Sequence, residues 1–242
     1  MKPWRSVKLA MAFFLVVSVG TGCRPSITTT IYAEEWTTPE GAKVSASFHP
    51  PDQHGERPPA VLFIHGAGAD SNVWAELDGR VRHEGYFTIR LELSGNARRE
   101  IETDSLLRDI SEALQRLAKY DADTSRIALI GEGLGSALAL QRAASDPNVQ
   151  AVVLLSPALK DRSLDTKALV QALGQRPILI IAATDDTASA AAARTLDELA
   201  GGFAELRLYP GSAYGGDILA SSPQSQGQIA HWLSVVLAPG KP

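Results

Sequence analysis

An apolar strand, a tight turn and a helix follow one another without a spacer between Arg126 and Ser145. The strand reads Arg126-Ile127-Ala128-Leu129-Ile130, the turn Gly131-Glu132-Gly133-Leu134-Gly135, and the helix is predicted over Ser136–Ser145. A strand this apolar is covered on both faces, so it needs neighbouring strands beside it and helices above and below. At the middle of the turn stands Gly133, which has no side chain with which to do chemistry.

The rest of the chain supplies those neighbours. Ala60-Val61-Leu62-Phe63-Ile64 is a second continuous apolar run, ending at His65-Gly66-Ala67-Gly68. Further strands are predicted over Tyr86–Leu93, Val149–Leu155, Pro177–Ala183 and Ala204–Tyr209. Helices are predicted over Val73–His83 and Thr103–Tyr120, the latter with Leu106, Leu107, Ile110, Leu114 and Leu117 at amphipathic spacing and Thr103 or Asp104 as its cap. Three more are predicted over Leu164–Leu173, ending at Gly174, over Ala188–Ala200, capped by Gly201-Gly202, and over Gln228–Leu237. Ahead of them all, Ile31–Trp36 and Lys43–Phe48 make a hairpin around Pro39-Glu40-Gly41. Strands that alternate with helices in this way give the α/β class: a doubly wound, mostly parallel sheet with helices on both faces and an antiparallel hairpin at its edge. One domain is expected, residues 31–238, with no internal repeat.

The first 22 residues read as a secretory signal: Lys2, Arg5 and Lys8, an uncharged apolar run from Leu9 to Val19, then Gly20-Thr21-Gly22. Cys23 follows and is the only cysteine, which excludes an internal disulfide. The junction resembles a bacterial lipobox, which implies a lipid anchor on Cys23 and a tether over residues 23–30. It departs from that pattern at Gly20, where an aliphatic residue is usual; the alternative is a secreted protein with one free thiol. The resemblance implies the cell envelope, and Arg24 after the anchor fits the periplasmic face of an outer membrane in a host with two membranes. Without residues 1–22 the chain keeps 220 residues and 20 basic against 27 acidic side chains, a net −7. That acidity, with no basic stripe, argues against a nucleic-acid partner.

The stretch from Asp123 through the turn to Ser156-Pro157 resembles the central strand, elbow, helix and next strand of the α/β-hydrolases, of the dienelactone hydrolase or serine aminopeptidase type. Nearly all of residues 30–238 shares the likeness, and it implies an elbow of the form G-x-S-x-G with the nucleophile at its centre. That centre is Gly133. The elbow strains a residue with a β-carbon by about 1–3 kcal/mol, and glycine relieves this. His65-Gly66-Ala67-Gly68 is similar to the family's oxyanion loop, which implies donors at the Ala67 and Leu134 amides and a structural role for His65. Ser136 points elsewhere, and Glu132 flanks the site as a carboxylate that repels anions.

The family's acid falls on Asp186, with Asp185 as runner-up; the plainer reading makes both loop carboxylates at a helix start, where Thr187 or Ser189 would cap equally well. The family's histidine falls on Tyr214, a poor base at neutral pH. Many relatives read D-x-R-G-x-G where this chain has Glu92-Leu93-Ser94-Gly95-Asn96. His231 reads as a helix-surface residue, and His49, His54 and His83 form no metal-ligand spacing. No metal or cofactor is expected.

Three functions follow. A pseudo-hydrolase would bind a small-molecule or protein ligand through a cleft that no longer cuts. A hydrolase with an altered or relocated site would use the surviving amides with Asp186, Glu132 or Tyr214, or a hydroxyl from Ser94, Ser156 or Ser212. A purely structural or interaction role predicts Tyr214 packed over Gly133, whereas ligand binding predicts a wide apolar pocket with convergent polar groups.

Overall fold

A computed structural model describes residues 31–52, 57–98 and 101–238. The signal over 1–22, Cys23, the tether and His54 lie outside the described residues. The strands are β1 (Tyr32–Thr37), β2 (Lys43–His49), β3 (Pro59–Ile64), β4 (Phe87–Glu92), β5 (Asp123–Glu132), β6 (Val149–Leu155), β7 (Lys160–Asp161), β8 (Leu164–Asp165), β9 (Ile178–Ala183) and β10 (Ala204–Tyr209). The helices are α1 (Ala75–His83), α2 (Thr103–Arg116), α3 (Leu134–Ser145), α4 (Thr166–Ala172), α5 (Thr187–Leu199), α6 (Asp217–Ser221) and α7 (Gln224–Val236).

Eight strands form one sheet in the order β1-β2-β4-β3-β5-β6-β9-β10. The pairings from β4 to β10 are parallel, and β1 and β2 join antiparallel at the edge. Alternation along β5 divides its side chains between two cores. Ile127 and Leu129 join α2, α3, α4 and α5 on one face; Ala128 and Ile130 join α1, α6 and α7 on the other. Every residue of β3 and β9 is buried, which is why neither shows a polar–apolar alternation in sequence. Burial of Leu106, Ile110 and Leu114 holds α2 on the sheet at roughly 1.5–3 kcal/mol per side chain.

Several expectations need correction. The span Leu164–Leu173 is not all helix: Asp165 accepts the Lys167 and Ala168 N–H groups, so α4 starts after it, and Leu164–Asp165 pairs with Lys160–Asp161. Neither Thr103 nor Asp104 caps α2; Glu102 holds that place with no side-chain bond, and the helix gives way to a 3-10 turn at Leu117. Gly201-Gly202 does not cap α5, whose last turn closes through Ala200. Gly202 is small because a β-carbon there would lie 2.8 Å from the Gln175 Cα. Helix α7 begins at Gln224, four residues early, running through Gly227, and α6 was not expected. Strand β5 is longer at both ends than Arg126–Ile130, and the elbow helix starts at Leu134.

Candidate functional site at the elbow

Three glycines let β5 turn into α3, for two reasons. A β-carbon on Gly131 would lie 2.7 Å from the Ser136 nitrogen, and one on Gly135 would lie 2.8 Å from the His65 carbonyl oxygen. Strand β5, helix α3 and the end of β3 therefore meet backbone to backbone. Gly133 is instead a matter of conformation: its φ of 50° and ψ of −118° lie where side-chain-bearing residues are strained. Ser136, one turn on, is buried and shares its proton between the carbonyls of Gly131 (2.8 Å) and Leu155 (3.1 Å).

Tyr214 lies over Gly133. A β-carbon on residue 133 would overlap the phenol oxygen and sit 3.3 Å from Cζ. The ring is 51% exposed, so it covers the elbow from the solvent side. Burial of the phenol raises its pKa, and the charges of Asp161, Glu132 and Asp186 raise it further. At neutral pH the hydroxyl keeps its proton and is no base.

Glu132 is not the free flanking charge expected. It is 5% exposed, and its carboxylate accepts the Gly66 N–H at 3.0 Å and the Gly216 N–H. One side chain thus ties the loop after β3 to the loop after β10. Ser156, buried at the end of β6 with a φ of 47°, accepts the Gly215 N–H at 2.9 Å. The Tyr214 loop is held at two consecutive amides. Sequence reading missed both ties, because the partners lie 66, 84 and 59 residues apart and nothing local marks them.

Around the loop after β3, Gly66 donates to Glu132, Gly68 to the Asn96 carbonyl and Ala69 to the Gly66 carbonyl. The Ala67 amide between them has no partner among the described residues. Leu134 opens α3, so its N–H has none within the helix. His65 is fully buried; Nδ1–H donates to the Gly66 carbonyl at 2.8 Å, and Nε2 accepts the Leu93 N–H at 3.0 Å. Both ring nitrogens are therefore occupied in holding the loop.

Asp186 is the N-cap of α5, and its Oδ1 accepts the Ser189 N–H at 3.3 Å. Its Oδ2 is buried and has no partner among the described residues. Asp185 is exposed and accepts the Thr184 hydroxyl at 3.1 Å. Of the two, Asp186 is the one whose charge bears on Tyr214. The structure thus gathers Gly133, Tyr214, Asp186 and Glu132.

Other candidates stand apart. Ser94 is buried, its amide donating to Asp109 at 3.0 Å and its hydroxyl unpaired, while Ser212 is exposed. None of Ser94, Ser156 and Ser212 bonds to a histidine among the described residues. His231 is exposed, and His49 is buried with Nδ1 2.7 Å from Asp78. A surface cleft of about 350 Å³ lies between α2 and α3, lined by Asp104, Leu107, Arg108, Ser111, Gln141 and Arg142, away from the elbow. Among the described residues no group of three or more His, Cys, Asp or Glu could hold a metal, and no helix is long and apolar enough to cross a membrane.

Comparison with known proteins agrees with this architecture. A search of the curated proteins finds no match. Among solved structures the fold is similar to dienelactone hydrolase from Anabaena variabilis, at 18% identity and TM-score 0.71 over 86% of this chain and 99% of that one. It is similar to Est1E from Butyrivibrio proteoclasticus, at 16% identity and TM-score 0.71 over 85% and 99%. An esterase from Pyrobaculum calidifontis matches at 20% identity and TM-score 0.68 over 86% of each chain. At these identities the likeness establishes the fold alone. The model of the alpha/beta hydrolase family matches residues 61–239, from β3 through α7. With that match, the sheet order and the elbow, the chain belongs to the α/β-hydrolase family.

Proposed function

We propose that this protein is a non-catalytic member of its family that works by binding a ligand, a protein rather than a small molecule because Tyr214 packs over Gly133, and that it is held in the bacterial cell envelope by a lipid on Cys23. The observation that carries the reading is the pairing of Gly133 with Tyr214: the elbow offers no hydroxyl, and the residue above it is a protonated phenol. The unpartnered Oδ2 of Asp186 supports it, because a triad histidine would donate its ring N–H to such an oxygen. The protein is expected to resist labelling by a fluorophosphonate probe and to leave 4-nitrophenyl acetate intact. Clear labelling, or turnover that Asp186→Ala abolishes, would sink the reading.

The geometry also sets a rescue. Gly133→Ser alone should stay inert, because the new side chain meets Tyr214 and the residue in the histidine's place is a protonated phenol. Gly133→Ser with Tyr214→His relieves the overlap and returns both lost groups together, which matters because a triad acts as a unit. The double variant is expected to hydrolyse 4-nitrophenyl acetate at least about tenfold above the parent, and Asp186→Ala on top should remove the gain. No recovery in a folded double variant would mean that these positions do not correspond to the family's triad.

A second reading, a carboxylic-ester hydrolase with an altered or relocated site, draws on the free Ala67 and Leu134 amides and on the likeness to esterases. It requires a hydroxyl close to a base and facing those amides. A nucleophile found by mapping a covalent adduct to Ser94, Ser156 or Ser212 would favour it.

A further inference from the structure

We propose that the exposed ring of Tyr214, with the carboxylates of Asp161, Asp185 and Asp217 around it, is a docking surface for a partner protein, and that the partner meets it with arginine. This rests on the reading that the protein binds another protein at the Tyr214 end of its sheet, and it adds the partner's chemistry.

Tyr214 supplies the anchor. Its ring is half-exposed although its backbone is held: Gly215 donates to Ser156 at 2.9 Å, Gly216 donates to Glu132, and Asp217 donates to the Tyr214 carbonyl at 3.0 Å. An aromatic side chain on a fixed loop loses little freedom when a partner covers it, and tyrosine is enriched where binding energy concentrates.

The charges around the ring choose the occupant. Asp185 follows β9 and donates its N–H to the Gly211 carbonyl at 2.9 Å, which joins it to the Tyr214 loop; Asp217 opens α6, three residues after Tyr214. Both are exposed, and Asp161 in β7 is half-buried. Asp161, Glu132 and Asp186 act on the phenol by charge. None of Asp161, Asp185, Asp186 and Asp217 makes an ion pair among the described residues, whereas Glu34, Glu40 and Asp146 elsewhere are matched by Lys119, Arg108 and Arg142. Arg162, next to Asp161, gives its guanidinium to the carbonyls of Ala97, Arg98 and Ile101 instead. Burial raises the Asp161 pKa, and the Arg162 charge offsets only part of that. An aromatic face ringed by unmatched carboxylates favours a cation. Arginine suits it better than lysine, because a guanidinium stacks flat on a ring while its edge donates twice to a carboxylate.

The test is a titration of the full chain, followed by NMR, with a capped pentapeptide that carries arginine at its second and fourth positions and glycine elsewhere. Binding is expected to shift the Tyr214, Gly215 and Gly216 amides and to be at least about twofold tighter than that of the lysine counterpart. Tyr214→Ala should weaken it about fivefold and Tyr214→Phe leave it unchanged, since the ring face does the stacking. Asp161→Asn with Asp217→Asn should weaken it about threefold, while Asp104→Asn, which removes a charge from the distant cleft between α2 and α3, should not. Raising NaCl from about 0.05 M to about 0.5 M needs no variant and should weaken binding at least about threefold. No binding by the parent, binding unchanged in Tyr214→Ala or at high salt, or a loss as large in Asp104→Asn as in the paired variant would each overturn the surface. A single capped arginine binding as tightly as the pentapeptide would overturn a protein partner. Hydrolysis of 4-nitrophenyl acetate by the parent would instead overturn the non-catalytic reading, and the peptide titration would still decide the surface.

Discussion

Alanine at Gly135 is expected to destabilise this protein by about 3–5 kcal/mol, against about 1–3 kcal/mol for alanine at Gly133. The order is not obvious from sequence, because Gly133 is the centre of the elbow and Gly135 only its edge. What decides it is the obstacle that each new methyl meets. At residue 135 the obstacle is backbone, with the His65 carbonyl oxygen 2.8 Å away and the Ile64 carbonyl closer still. Ile64 is the last residue of β3 and His65 follows it directly; β3 pairs with β4 and β5 on its two sides and cannot retreat without breaking both ladders. At residue 133 the obstacle is the end of a half-exposed tyrosine, which can swing away, so the remaining penalty is backbone strain. For a domain of this size the two variants should differ in Tm by several degrees, at roughly 2–4 °C per kcal/mol. Urea unfolding of both, read by circular dichroism, checks the order; a Gly135→Ala variant as stable as Gly133→Ala would refute the backbone contact.

Asp78→Ala is expected to be as costly, about 3–5 kcal/mol at pH 7. Asp78 is 4% exposed on α1, and its carboxylate meets His49 Nδ1 at 2.7 Å, the Thr88 hydroxyl, Arg82 Nε at 3.6 Å and Arg90 Nε at 3.9 Å. Removing it would strand the buried His49 imidazole and the Arg90 guanidinium around an empty space, and would leave Arg82 with Asp52 alone, at 2.9 Å. Burial alone would raise the Asp78 pKa; the His49 hydrogen bond and charge, the Thr88 hydroxyl and the Arg82 charge together bring it below its ordinary value. A carboxyl with a depressed folded-state pKa contributes stability that is present above its unfolded pKa, about 3.9, and is lost as pH falls through the folded value. The gap between parent and Asp78→Asn should therefore be widest near neutral pH and shrink below about pH 4. Thermal melts at pH 7 and pH 3 measure it, and an equal gap at both would show that the charge of Asp78 contributes nothing.

Much of the fold was legible along the chain. The runs Ala60–Ile64 and Val149–Leu155 read as strands buried on both faces, and β3 and β6 occupy those positions. Those signals are local, because burial on both faces leaves a strand without polar residues. Boundaries were less legible. Asp165 can be a strand residue or a helix cap, and only its pairing with Lys160 decides. Gly201-Gly202 looks like a helix stop, yet the smallness of Gly202 answers to Gln175, in a loop the sequence does not connect with it.

The site divides in the same way. The absence of a hydroxyl at the centre of the turn was legible, because one position in a strand–turn–helix unit decides it. The roles of Glu132, Ser156 and Asp78 were not. Glu132 and Ser156 are defined by partners 59 to 84 residues away and Asp78 by His49, 29 residues before it, and no local pattern distinguishes Glu132 on a free rim from Glu132 tied to two amides.

By itself, then, the sequence determined the order of strands and helices, the glycine-rich elbow and the absence of a hydroxyl at its centre, since all of these depend on residues adjacent in the chain. Only the tertiary structure decided that Tyr214 comes down on Gly133, that Glu132 joins two loops and that Asp78 gathers one imidazole and two guanidiniums. The physical reason is that such contacts depend on how the sheet brings distant segments together, which neither periodicity nor composition records.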